Sequence, residues 1–168
     1  MKWLMIGGMV VAGLIGLVVL VGALLPRSHV AVVGRDYRAD RETVWKSITN
    51  VEGFAGWRPG LETVERLPSE NGKERWREKS KHDAMTIEVT EAVPPERLAT
   101  RISDEGLPFG GTWTYELVPT SAGTRLTITE RGEVYNPLFR FISRFVMGHS
   151  ATMEKYHAGL EKKLAGAE

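Results

Sequence analysis

The sequence of 168 residues contains no cysteine and no large excess of charge of either sign. Without cysteine the chain cannot form a disulfide, and it offers no thiolate ligand to a metal ion. Its 22 Lys and Arg residues face 21 Asp and Glu residues, which gives a formal net charge of +1 at pH 7. A nearly neutral chain has no overall field to attract nucleic acid, so we expect no nucleic-acid partner.

Common catalytic and cofactor motifs are also missing. The chain has no G-x-S-x-G elbow, no phosphate-binding loop and no H-E-x-x-H pair. Its four histidines, His29, His82, His149 and His157, do not have the spacing of metal ligands. We therefore expect neither a metal ion nor a cofactor.

One long apolar segment lies near the N-terminus. Residues 3–25 carry no charge, and Lys2 is the only basic residue before them. As a helix with a rise of about 1.5 Å per residue, this segment is long enough to cross a hydrocarbon core of about 30 Å. We predict a transmembrane anchor over residues 1–27, which makes the chain a single-pass membrane protein. A cleaved signal peptide is the alternative, because Val21-Gly22-Ala23 resembles a small-residue cleavage site.

The charges that follow the anchor bear on its orientation. Arg27, Arg35, Arg38 and Arg41 come after the apolar segment, and the positive-inside rule then favours a cytoplasmic soluble domain. The preference is slight, because these arginines lie at the edge of a folded domain, where the rule counts for less. The side of the membrane therefore stays open.

Small residues recur along one face of the anchor. Gly8, Ala12 and Gly16 are spaced four residues apart, and this spacing lets two membrane helices approach closely. One interpretation is a homodimer through these three residues. The other is that glycine and alanine are simply frequent in membrane helices.

Residues 28–168 have the pattern of one α+β domain. A valine-rich strand over residues 29–39 precedes a short helix that Asp40 caps. Short apolar segments separated by turn signals then predict an antiparallel meander. We predict these strands at residues 61–67, 73–81, 85–91, 98–103, 112–118 and 124–134.

A long helix is predicted at the C-terminus. Asn136 is its cap, Pro137 is its first residue, and the pattern continues to about Leu164. Its apolar stripe follows a period of about 3.6 residues and contains Leu138, Ile142, Phe145, His149, Met153, Tyr156 and Leu160. An antiparallel sheet with one long helix must fold its apolar face over that helix. We therefore predict a curved sheet of about six to seven strands that grips the C-terminal helix, with room between them for side chains or a ligand.

The connection NVEGFAGWRPG over residues 50–60 is unusual for a loop, because it combines three glycines with Phe54 and Trp57. The glycines permit tight backbone turns. The two aromatic side chains can then fold inward in either of two roles. Trp57 is a lid over the mouth of a cavity, or it is a plug that closes a filled core.

Alternation along the strands predicts which side chains face the helix. Trp76, Trp113 and Tyr115 fall on inward phases of their strands. Together with residues of the loop and of the helical stripe, they are the candidate ligand-binding residues, which are Trp57, Trp76, Trp113, Tyr115, Phe145, His149 and Met153.

Five titratable residues share these inward phases: Glu78, His82, Tyr115, Glu130 and His149. Glu130 and His149 are the candidate catalytic residues, because a carboxylate and an imidazole in one apolar cavity can do acid/base work on a bound carbonyl compound. Each of the two residues also has an interpretation without a catalytic role. Glu130 marks the point where its strand meets solvent, and His149 is an ordinary hydrogen-bonded helix histidine.

A basic stripe runs along the other face of the third predicted strand. Its members are Lys73, Arg75, Arg77, Lys79 and Lys81, at a strict period of two. Such a stripe can lie on anionic lipid head groups beside a membrane anchor. The alternative is a solvated face whose charges pair with glutamates such as Glu88 on neighbouring strands.

The chain resembles a known superfamily in its order of elements, in TVWKSITNVEGFAGWRPG after the first strand, in the hairpin GGTWTYELVP…AGTRLTITERGEV, and in its closing helix. These features are similar to the START-like helix-grip superfamily (SRPBCC), and within it to the polyketide cyclase/dehydrase and lipid-transport group. The resemblance covers roughly residues 29–164. It implies an apolar cavity between sheet and helix that holds lipids, sterols or polyketides, and it carries over no catalytic residue.

Taken together, these patterns predict a membrane-anchored protein that binds an amphipathic, lipid-like small molecule, with membrane lipid as its second partner. The first alternative is a cyclase- or dehydratase-like enzyme on a polyketide or aromatic substrate. The second is an interaction module whose core is filled by its own side chains.

Overall fold

The computed structural model describes residues 2–81 and 83–166. The helices are α1 (Lys2–Leu24), α2 (Arg41–Thr49), α3 (Pro137–Ile142) and α4 (Ala151–Ala165). A 3₁₀ turn covers Val51–Gly56, and a π-helical turn covers Ser143–Met147. The strands are β1 (Ser28–Tyr37), β2 (Leu61–Glu70), β3 (Lys73–Ser80), β4 (Ala84–Val93), β5 (Arg97–Ile102), β6 (Phe109–Thr120) and β7 (Gly123–Val134).

All seven strands form one antiparallel sheet in the order β1-β7-β6-β5-β4-β3-β2. Strands β2 to β7 follow one another as a meander, and β1 pairs with β7 at the edge of the sheet. The curved sheet holds the C-terminal helix α4 against its apolar face. The predicted α+β helix-grip architecture is therefore confirmed.

The core lies between this sheet and the helices α2 and α4. Leu126 and Ile128 of β7 are fully buried, and so are Met153 and Leu160 of α4. Alternate residues of a strand point to one face, so β7 contributes its even-numbered side chains here. Burial of each such side chain is worth about 1.5–3 kcal/mol, and this is the main force that holds α4 in the grip.

The predicted helix starts are confirmed. The Asp40 carboxylate accepts a hydrogen bond of 2.7 Å from the Thr43 amide at the start of α2. The Asn136 side chain accepts bonds from the amides of Leu138 and Phe139 at the start of α3, with Pro137 in the first turn. Each cap satisfies amides that have no partner within the helix.

The prediction of one continuous C-terminal helix is wrong. The helix divides into α3 with its π-helical turn and the separate α4, and the break is at Gly148. Gly148 has φ 75°, a left-handed conformation that glycine adopts without steric cost. Its amide closes the turn by donating to the Ser143 carbonyl at 3.0 Å. The predicted apolar stripe therefore does not continue across the break, and Phe145 is 59% exposed instead of facing the sheet.

Helix α1 is long and apolar enough over Met5–Leu24 to cross a membrane by length and composition, a test that a signal sequence also passes. Its residues are mostly exposed. Gly8, Ala12 and Gly16 lie on this exposed helix, and a Cβ on Gly8 or Gly16 would contact nothing else in the chain. The homodimer through these three residues stays a prediction.

The glycine-rich connection closes directly on α4. Gly159 faces the backbone of this connection, and a Cβ there would collide with the Trp57 carbonyl oxygen. Trp57 itself packs edge-on against Tyr156, with ring centroids 5.0 Å apart. A residue without a side chain on α4 is what lets the connection approach so closely.

We expect Gly159→Ala to destabilise the fold by about 1–3 kcal/mol, because the new methyl group would push against rigid backbone. At an exposed helical position, replacing glycine with alanine normally stabilises the protein. A decrease in the free energy of unfolding would therefore indicate the close contact. The free energy of unfolding of the detergent-solubilised chain, followed by circular dichroism in urea, measures the effect.

Gly56→Ala is the matched control, because a Cβ at Gly56 would meet nothing within 4 Å. It lies in the same connection and should change stability little. Equal stabilities for the two variants would contradict the close approach of the connection to α4.

Candidate functional site

Two groups of polar side chains lie among the aromatic residues between the sheet and the C-terminal helices. The first, which we call the histidine–glutamate cluster, contains His29, Glu130, Ser143 and His149. The second, which we call the arginine–glutamate pair, consists of Arg58 and Glu78. Together they contain most of the titratable groups that the sequence places on inward phases.

The histidine–glutamate cluster forms where β1, β7 and the break in the C-terminal helix meet. His29 Nε2 lies 3.5 Å from Glu130 Oε1, and the His29 and His149 rings stack with centroids 3.8 Å apart. Ser143 Oγ shares a hydrogen bond of 3.1 Å with His149 Nδ1. The side chains of His29 and Glu130 are only 15% and 20% exposed, so the cluster is partly open to solvent.

Local sequence explains this arrangement. His29 lies opposite Gly132 in the β1–β7 register, and a Cβ on Gly132 would collide with the His29 ring. Glu130 is two residues before Gly132, so it shares a face with His29 as a diagonal neighbour. The left-handed Gly148 then turns the chain so that His149 lies over His29.

Burial sets the protonation states of the cluster. It lowers the pKa of His29, and it also lowers the pKa of His149, together with repulsion from a protonated His29 and from Arg144. Burial raises the pKa of the Glu130 carboxyl, while the Trp113 indole and His149 oppose that shift. At neutral pH the two imidazoles are therefore uncharged and can accept or relay a proton beside a carboxyl group.

The arginine–glutamate pair lies deeper in the interior. Arg58 Nη1 donates to Glu78 Oε1, which also accepts a bond of 2.9 Å from the Trp76 indole. The guanidinium lies over the Tyr156 ring at 5.3 Å from its centroid. Burial works against the charge of Arg58, but Glu78, Tyr156 and Tyr115 together outweigh it, and the pKa of Arg58 is raised. A buried pair with such partners holds the connection against β3.

Aromatic rings pack against one another between the two polar groups. Trp57, Trp113 and Tyr115 surround Tyr156, with ring centroids 5.0, 5.8 and 5.8 Å from it. Among the described residues, the Tyr156 hydroxyl and the Trp57 indole N–H are buried without a hydrogen-bond partner. The ring faces of this wall are apolar, and its indole N–H and hydroxyl are two hydrogen-bond donors without an acceptor in the described part of the chain.

A sequence comparison identifies the family. The profile described as polyketide cyclase/dehydrase and lipid transport matches residues 29–164. The chain belongs to this family. No curated relative matches it.

Solved structures share the fold of this polyketide cyclase/dehydrase and lipid transport family member at low identity. A protein of Thermus thermophilus has a TM-score of 0.69 and 20% identity, over 83% of this chain and 99% of that one. A START superfamily protein of Mycobacterium smegmatis has a TM-score of 0.65 and 16% identity, over 85% and 100%. The di-domain ARO/CYC protein StfQ from the steffimycin biosynthetic pathway has a TM-score of 0.67 and 9% identity, over 83% and 52%. At these identities the likeness concerns the fold alone.

Most predicted interior residues of this family member do meet. The wall just described contains Trp57, Trp113 and Tyr115, and Met153 is fully buried beside them. Trp76 packs against Phe54, with ring centroids 6.2 Å apart. Glu130 and His149 come together in one cluster. Phe145 is exposed and contacts Phe141 at 4.9 Å, outside this interior.

Two residues of the candidate site are not predicted from the sequence. The spacing of the histidines does not indicate a role for His29, but its phase in β1 places it inward with Ala31 and Val33. Arg58 lies in a loop, where no periodicity indicates direction. Its position next to Trp57 was the only available signal.

The remaining predicted groups lie elsewhere. His82 is outside the described residues. In the basic stripe, Lys73 bonds to Glu88 at 3.0 Å and Arg75 bonds to Glu70, as expected for a paired outer face.

Among the described residues, no group of three or more His, Asp or Glu side chains is placed to hold a metal ion.

The open space beside Trp57 is on its outer side. A surface cleft of about 430 Å³ is lined by Gly53, Gly56, Trp57, Gly159, Lys162 and Lys163. On its inner side the Trp57 ring contacts Phe54 and Tyr156 edge-on. In this structure the inner side of Trp57 is therefore in contact with other rings, and the choice between lid and plug stays a prediction.

We expect His149 to titrate below its ordinary pKa of 6.5, because burial disfavours its charged form. The free energy of unfolding should then decrease as the pH falls from 6.5 towards the pKa of the folded state. The reason is that the unfolded chain binds the proton at a higher pH than the folded chain does. NMR titration of the imidazole resonances measures the shift.

Glu130→Gln should lower the pKa of His149 further, because the Glu130 carboxylate raises it. Glu133→Gln, three positions along the same strand and exposed, is the matched control and should leave the pKa unchanged. A His149 pKa at or above 6.5 would show that the ring is not buried in the cluster.

Proposed function

We propose that this family member is a membrane-tethered domain that binds an amphipathic, lipid-like small molecule between the sheet and the C-terminal helices. The polar end of the ligand contacts the histidine–glutamate cluster, and its apolar part lies along Trp113 and the rings around Tyr156. The observation that carries the proposal is this cluster, a set of partly open polar groups at the edge of an aromatic interior.

The chemistry of the cluster suits such a ligand. Two imidazoles of lowered pKa and a carboxyl of raised pKa can donate and accept hydrogen bonds with a hydroxyl, carbonyl or protonated acid group. The adjoining aromatic rings offer apolar area to the rest of the molecule. A few polar groups that fix orientation, set in apolar surroundings, are typical of small-molecule sites.

The cluster lies close to the proposed membrane tether. His29 follows the end of α1 by only a few residues, and Arg140 of α3 donates to the carbonyls of Ala23 and Leu25 at 3.4 and 2.8 Å. The cluster is therefore close to the end of the helix that we propose crosses the bilayer. The family name, with its reference to lipid transport, agrees with this assignment.

Trp113→Ala should weaken binding of a lipid-like ligand by roughly tenfold, because the variant loses the largest ring beside the cluster. Native mass spectrometry of the full chain, released from detergent after incubation with a lipid extract, measures the bound fraction. Trp45→Ala is the matched control, since Trp45 also packs against the core but lies on α2, away from the cluster.

Recovery of only the bare protein from every extract would contradict ligand binding. Equal loss of ligand in the two tryptophan variants would indicate that the effect came from weakened folding. The melting temperatures of both variants, measured on the same samples, separate these outcomes.

The second candidate function is acid/base catalysis on a carbonyl compound, and the contact of Glu130 with His29 favours it. A carboxylate and neutral imidazoles at one edge of an aromatic site can remove and return a proton next to a carbonyl. The di-domain ARO/CYC neighbour shows that the same fold occurs in the steffimycin biosynthetic pathway.

If this second function holds, the protein should accelerate deuterium exchange at the α-carbon of a long-chain β-diketone. Glu130→Gln should reduce the rate by about 10²-fold or more, in the range of general acid–base contributions. NMR follows the exchange, with Glu133→Gln as the control. Exchange at the protein-free rate would exclude this chemistry for the β-diketone, without affecting the binding proposal.

A further inference from the structure

The segment over residues 137–147, which we call the interfacial segment, has an unusual surface. It carries Leu138, Phe139, Phe145 and Val146, which are between 42% and 73% exposed. Outside α1, no other stretch of similar length in the described chain has so many exposed large apolar side chains. Water-exposed clusters of this kind mark contact surfaces.

The interfacial segment is attached to the end of α1. The Arg140 guanidinium is buried and donates to the carbonyls of Ala23, Leu25 and Tyr135. Gly22 lies against the backbone of Pro137, where a Cβ would collide with the Pro137 carbonyl. These contacts satisfy carbonyls that the last turn of α1 leaves without partners. The segment is therefore held at the depth where α1 ends.

Its composition suits the boundary between head groups and acyl chains. Arg144 is exposed beside Phe145 and Val146, so a positive charge lies next to large apolar side chains. Helical segments with this mixture lie in the membrane plane, with apolar side chains about 5–10 Å below the head groups. The basic side chain can remain among anionic phosphates.

We propose that the interfacial segment lies on the bilayer that α1 crosses and contacts its lipids through Phe145, Val146 and their apolar neighbours. This inference rests on the membrane tether of the proposed function, and it adds a second, specific contact with the bilayer. The partner is a phospholipid surface, because the segment packs against the end of the helix that we propose crosses the membrane.

The segment also connects the bilayer to the site. Ser143 lies within it and bonds to His149, which follows the break at Gly148. A ligand that leaves the membrane beside Phe145 would therefore meet the histidine–glutamate cluster first. Contact with the bilayer at this point explains how a poorly soluble molecule reaches the interior without passing through water.

The experiment uses the full chain, whose lack of cysteine allows single labelling sites. An environment-sensitive fluorophore is attached in Val146→Cys, Val118→Cys and Val11→Cys. Val118 is the control for Val146, because it is also a highly exposed valine but lies on β6. Val11 reports on the anchor itself. The proteins are placed in vesicles of phosphatidylcholine and phosphatidylglycerol, with and without brominated acyl chains.

We expect the labels at positions 146 and 11 to lose fluorescence in brominated vesicles, and the label at 118 to keep it. If position 11 is quenched and 146 behaves like 118, the inference is wrong while the tether stands. If neither 11 nor 146 is quenched, both the tether and the inference fail. A label at 146 that is protected from an aqueous quencher but insensitive to bromine would mean that a second copy of the chain covers it, which also overturns the proposal.

Discussion

The pairing of β1 with β7 is the contact on which the rest of this structure depends. These are the first and the last strand of the folded domain, and their register places His29 diagonally to Glu130. The Val134 amide donates to the Arg27 carbonyl at 2.8 Å, so the same pairing ends beside α1. One antiparallel ladder thus completes the sheet, assembles the polar cluster and brings the end of the apolar helix to it.

The break at Gly148 is the second constraint, and it separates two tasks of the C-terminal region. Before the break, α3 and the π-helical turn keep their apolar side chains on the outside and stay attached to α1. After it, α4 buries Met153 and Leu160 against the sheet. A continuous helix would have forced both segments to share one apolar face. The left-handed glycine lets the chain present one face outward and the other inward.

How far the sequence predicted the site depended on the type of element. Strand residues such as Trp76, Trp113 and Glu130 were placed correctly, because a period of two leaves only two possible directions. The helix residue Phe145 was predicted on the inward face, but it is exposed. The helical period was extended through the break, because a single glycine in the sequence does not by itself indicate that a helix ends. Arg58 was missed because side-chain direction in a loop depends on contacts with distant strands.

The sequence by itself determined the apolar helix α1, the meander, both helix caps and the sides of the strands, since these follow from local periodicity and capping chemistry. Only the tertiary structure decided that His29 stacks on His149, that Arg58 pairs with Glu78, and that the connection closes on Gly159. Each of these depends on the register between strands or on the approach of two backbones. Such distances arise from packing of the whole domain, and no local pattern encodes them.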